Sequence, residues 1–162
     1  MILATIIVTS LLAFADGAAN CPMHAQHMAA ATPIDHRHDS FGFSHESSKH
    51  AFRILPTGGA IELRATDDDP KTVAAIRTHL REIEAAFRKG DFSKPKFVHE
   101  RMPDGVDTMR ERRQSIQYRF EELPEGARVT ITTKDARALQ AIHAFLRFQI
   151  ADHRTQDPLT VE

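Results

Sequence analysis

Four histidines, His36, His38, His45 and His50, fall between Asp35 and Phe52, a density of imidazole that suits a metal ion. His36 and His38 stand at i and i+2, so an extended segment projects both rings to one side as a pair of ligands. Asp35 and Asp39 flank them, as acceptors for ring N–H groups or as oxygen ligands in their own right. The competing reading is a solvated polar stretch ahead of the first strand, whose histidines only titrate.

Upstream, Cys21, Met23, His24, His27 and Met28 supply a thiol, two thioethers and two imidazoles within eight residues. Soft sulfur together with imidazole selects copper, Cu(I) above all, over hard cations. The piece CPMH at Cys21 to His24 resembles short metal-binding motifs near the N-termini of copper-transporting ATPases. Residues 16–34 show no helical or strand period and read as a flexible linker. Ahead of them, the apolar run Ile2 to Phe14 and the A-x-A pattern at Ala13 to Ala15 read as an export signal over residues 1–15, with Gly17-Ala18-Ala19 offering a cut as late as 19. Export implies a periplasmic or secreted protein with no stable membrane insertion once the signal is removed.

Composition narrows the classes. The chain has 162 residues, 41% hydrophobic and 27% charged, enough for one domain with a real core. With 21 basic against 22 acidic residues, no net field draws it to nucleic acid. A single cysteine rules out an intramolecular disulfide, and one Tyr with no Trp leaves no aromatic platform for single strands.

The elements that must position the histidines start at Ala51. Phe52 and Ile54 lead into Pro56-Thr57-Gly58-Gly59, after which Ile61, Leu63 and Ala65 alternate with Glu62 and Arg64: a hairpin with one wet face. Asp69 before Pro70 caps a helix, Val73, Ile76, Leu80, Ile83 and Phe87 form its apolar stripe, and Gly90 ends it. His79 lies off that stripe and is expected to be exposed. The grammar repeats: Ile116, Tyr118 and Phe120 alternate up to the turn Leu123 to Gly126, Ala127, Val129 and Ile131 alternate back, and a helix runs from about Asp135 to Asp152. Two ββα units predict an α+β domain over 35–157, a four-stranded antiparallel sheet with two helices on one face, and a short tail over 158–162.

On the second helix Leu139, Ile142, Leu146 and Ile150 point inward, with Phe145 and Phe148 widening the arc. His143 falls at its margin, the better placed of the two to meet the histidine-rich segment; His153 falls inside it, where helix-end dipole stabilisation is a sufficient structural reason and a ligand role the alternative. The connection Asp91 to Thr108 reads as a long loop, with His99 an ordinary loop histidine or, alternatively, one that closes a site opened by the histidine-rich segment.

The pattern from Asp35 to Asp157, with DHRHD, GFSHE and the late stretch HAFLRFQIADHRT from His143, resembles small exported bacterial proteins, some of them called aspartate carbamoyltransferases. That activity is not expected here. It needs a two-domain chain holding carbamoyl phosphate on a Ser-Thr-Arg-Thr loop at a helix N-terminus, and nothing in this chain offers such an anion site.

The leading expectation is a periplasmic metal-binding protein for sequestration, delivery or sensing, with copper as its ion and zinc as the alternative. Its ligands are drawn from His36, His38, His45, His50, His143 and His153 and from the Cys/Met/His linker, and its partner is a metal-handling membrane or periplasmic protein. A metal-dependent hydrolase is the second reading, since His36-x-His38-Asp39 resembles the first half of the H-x-H-x-D-H motif of the metallo-β-lactamase fold, but without its closing histidine. The third is a metal-free module using the open sheet face for a small ligand or a protein. The mixed charges of Glu62, Arg64, Gln117, Arg119, Glu121 and Arg128 argue against an apolar pocket there.

Overall fold

The computed structural model describes residues 37–67 and 69–162. Strand β1 (Ser48–Leu55) turns through Pro56 and Thr57 into β2 (Gly58–Ala65), and helix α1 (Pro70–Lys89) follows. The Asp69 carboxylate accepts from the Lys71 and Thr72 amides, Pro70 occupies the first turn, and Gly90 closes the helix in the left-handed region with φ 80°. The connection carries two short helices, α2 (Ser93–His99) and α3 (Val106–Glu111), where a plain loop was expected. Each has an apolar anchor: Val98 in α2, and Val106 and Met109 in α3, are buried. Then come β3 (Ile116–Leu123), β4 (Gly126–Thr133) and α4 (Ala136–His153), which Asp135 caps through the Arg137 and Ala138 amides.

The fold is α+β. All four strands form one antiparallel sheet in the order β1-β2-β4-β3, the two hairpins joining through their inner strands at registers such as Ile61↔Val129 and Leu63↔Ala127. Inward residues of every strand meet the two long helices: Phe52, Ile54, Leu63, Val129 and Ile131 pack with Ile76, Leu80, Phe87, Ile142, Phe145 and Leu146 in one core. Each helix covers the other unit's strands. Helix α1, which follows the first hairpin, lies mainly against β3 and β4, whereas α4, which follows the second, lies mainly against β1. That exchange carries the C-terminal end of α4 over β1.

Close approach to α4 is built in at two glycines. A Cβ at Gly59 would sit 2.2 Å from Leu146 Cδ1, so α4 rests directly on the strand. At Gly105, with φ +81°, a Cβ would lie 2.2 Å from the Ala141 carbonyl oxygen, which lets the start of α3 press against α4.

Asp157 and the end of the expected tail, Glu162, meet the outer edge of β1. Asp157 Oδ2 accepts from the Phe52 amide at 2.8 Å, and the Glu162 amide donates to the Ile54 carbonyl at 2.9 Å. An edge strand covered in this way is closed to pairing with another chain. On the open sheet face Glu62 accepts from Arg64 at 2.6 Å and from Arg128 at 2.8 Å. Burial alone would push the Glu62 carboxyl up, but the two guanidinium groups outweigh it and hold it below its usual range. No helix among the described residues is long and apolar enough to cross a membrane.

Candidate metal centre

Strand alternation decides where His50 points. Ser48, His50, Phe52 and Ile54 share the side of β1 that faces the helices, so His50 belongs to the strand and not to the histidine-rich entry segment ahead of it. The loop before it is fixed by serines: the Ser44 amide donates to Ser47 Oγ at 2.9 Å, and Ser48 Oγ donates to the Ser44 carbonyl at 2.7 Å. His153 is the last residue of α4, and Arg154 ends the helix in the left-handed region with φ 53°. His38 leads into the 3-10 turn Asp39–Phe41. Its neighbour Arg37 anchors it, donating to the Val98 carbonyl at 2.9 Å and pairing with Glu100 beyond the end of α2.

These three elements converge. Ring centroids lie 4.7 Å apart for His38 and His50, 4.7 Å for His50 and His153, and 5.2 Å for His38 and His153. One nitrogen of each ring can be chosen so that all lie within 4.8 Å of one another. An ion with metal–nitrogen bonds of about 2.0–2.1 Å sets such nitrogens roughly 3.4 Å apart. Small side-chain rotations therefore close the set. His38 is buried, and His50 and His153 are half-buried.

Inside the triad lies a cavity of about 50 Å³, lined also by His79, His99 and Gln149 over a floor that includes Phe52, Leu63 and Leu80. Outside it is a cleft of about 210 Å³ between His45, Lys49, Arg154 and Thr155, with His50 and His153 forming part of both walls. The triad thus borders both the inner cavity and the outer cleft. Burial, then the neighbouring His153 and His38, holds His50 well below its ordinary pKa; burial, then His38 and His99, does the same for His153. Both rings are neutral at pH 7, the form in which imidazole ligates.

His99 is buried and held at both nitrogens. Its Nε2 lies 2.9 Å from Gln149 Oε1 and its Nδ1 2.5 Å from Asp152 Oδ2, each within hydrogen-bond reach. With both nitrogens engaged it acts as a wall, meeting the His153 ring edge-on at 5.0 Å. His79 is buried, contrary to the exposure expected of it, because Phe41 and Phe43 fold over α1 with ring centroids 4.5 and 5.4 Å from its own. Burial foremost, and then the nearby His38 and Lys94, pushes it down to about 3.

Of the other expected ligands, His45 is exposed at the mouth of the outer cleft. His143 is elsewhere, its Nε2 2.9 Å from the Leu55 carbonyl. It precedes His153 by ten residues, about 15 Å along the helix axis, so only one of the two can reach the centre. The extended pairing of His36 with His38 does not apply at His38, whose backbone is helical with φ −67° and ψ −25°. His36, Cys21, Met23, His24, His27 and Met28, with the signal and the linker, lie outside the described residues.

Sequence reasoning gave His79 and Gln149 no part in the centre, and gave His99 one only as the alternative to an ordinary loop histidine. A signal existed for two of them: His79 stands three residues after Ile76 and four before Ile83, and Gln149 interrupts the apolar arc between Leu146 and Ile150. Comparison of the chain with protein-family models, curated proteins and solved structures found no match.

Proposed function

We propose that the domain binds one copper ion through His38, His50 and His153, and that the protein is an exported metal-binding protein serving sequestration, delivery or sensing. The observation that carries this reading is the convergence of three imidazoles from three separate elements within 4.8 Å. Copper is favoured on two grounds. For divalent ions, nitrogen sites follow the Irving–Williams order, which places Cu(II) above Zn(II). For a buried site with only neutral ligands, the desolvation penalty of a monovalent ion is smaller than that of a divalent one, which favours Cu(I). The site also lies at the C-terminal end of an 18-residue helix, where the aligned peptide dipoles favour positive charge.

Competition titration of the full chain with Cu(I), Cu(II) and Zn(II) at pH 7 tests the choice of ion. Copper in either oxidation state is expected to displace zinc from the triad; zinc held against an excess of copper would overturn the assignment to copper.

A further inference from the structure

Two polar atoms of the inner cavity have no hydrogen-bond partner among the described residues: His79 Nδ1 and Gln149 Nε2. Both side chains are more than nine-tenths buried, and both line the cavity that His38, His50 and His153 also line. Orphaned polar groups in an apolar interior are costly, and native structures almost always give them a partner. The Gln149 carbonyl is taken by His99, which leaves the amide N–H as an unused donor at the cavity wall. On the order of 10–15 Å³ of such space accommodates a water molecule. The cavity's volume of about 50 Å³ is therefore room for a molecule of a few heavy atoms.

Resting on the copper reading above, we infer that the ion keeps an exchangeable coordination position on its inner side. A small hydrogen-bond acceptor, such as water, hydroxide or a small anion, binds there to the metal and to Gln149 Nε2, with His79 Nδ1 as a second contact. Three protein ligands with an open fourth position distinguish a site that takes an exogenous ligand from a closed, purely structural one. The surrounding Phe52, Leu63 and Leu80 limit that ligand in size.

Azide titrated into the full chain loaded with Cu(II) tests this. A ligand-to-copper charge-transfer band is expected, one azide per copper, and it is expected to be missing from the H38A/H50A/H153A chain, which assigns it to the triad. Gln149→Met keeps the side-chain length and removes the donor; azide affinity is expected to fall about tenfold or more, as loss of a hydrogen bond to a charged acceptor does, while copper stoichiometry stays unchanged. His79→Phe, which removes the other polar atom, is expected to weaken azide as well, and decides the matter if the Gln149 variant does not fold. Failure of the triad to take up copper would overturn the function and this inference together. Copper uptake without the band, or the same azide affinity in folded variants as in the parent, would overturn the inference alone.

Discussion

Copper added to the full chain is expected to raise its thermal unfolding midpoint by roughly 10 °C, and His153→Ala is expected to remove most of that rise. A ligand that binds only the native state stabilises it by about 4 kcal/mol when its free concentration is a thousand times Kd, and in a domain of this size each kcal/mol moves the midpoint by about 2–4 °C. The triad makes the effect specific to the folded state. His38 comes from the entry segment, His50 from β1 and His153 from the far end of α4, and nothing but the tertiary fold brings them together. Differential scanning calorimetry with and without copper reads both values. An equal rise in His153→Ala would place the stabilising ion somewhere other than the triad.

Acid is expected to unfold the metal-free protein well before its carboxylates titrate. His79 is pushed down to about 3, and His50 and His153 lie well below their ordinary value, in each case through burial first and nearby cationic or histidine groups second. In the unfolded chain all three titrate near 6.5. Between about pH 6.5 and 3 the unfolded state therefore binds protons that the native state does not, so stability falls as pH falls through that window and is level above it. Each such histidine contributes a slope of about 1.4 kcal/mol per pH unit. Two or three together consume an ordinary folding free energy within a few units.

The cap carboxylates act later. Asp69 is held below its usual range first by the Thr72 hydroxyl and Asp135 first by the Ala138 amide, so their contribution is lost only below about pH 4. Denaturant midpoints at pH 7, 6, 5 and 4 are expected to fall steadily below 6.5. His79→Phe is expected to flatten the fall by about one proton. A stability level from pH 7 to 4.5 would show that these rings are not buried in the neutral form.

Elements governed by local rules were legible in the sequence. Asp69 with Pro70 and Gly90 bracket α1 because capping and left-handed termination are decided within a turn of the chain. The strand residues from Ile61 to Ala65 and from Ala127 to Ile131 alternate because one face of the sheet is buried. The convergence of His38, His50 and His153 depends on more than local rules. It requires α4 to lie over β1, the strand of the other hairpin, and no periodicity states which helix covers which strands. The spacing of His79 from Ile76 and Ile83 placed it beside the apolar stripe, but its full burial depends on Phe41 and Phe43, over thirty residues earlier, folding onto α1. His99 took its place through Asp152 and Gln149, about fifty residues further on. The choice between His143 and His153 followed once the direction of α4 over β1 was known.

The copper bound per chain at equilibrium against a competing chelator, compared between the parent and the H38A/H50A/H153A variant, tests the metal centre most directly. Because both chains keep Cys21, Met23, His24, His27 and Met28, any copper on that segment cancels in the difference. The parent is expected to bind one ion more than the variant. Equal copper content in two folded chains would contradict a metal centre at these three histidines.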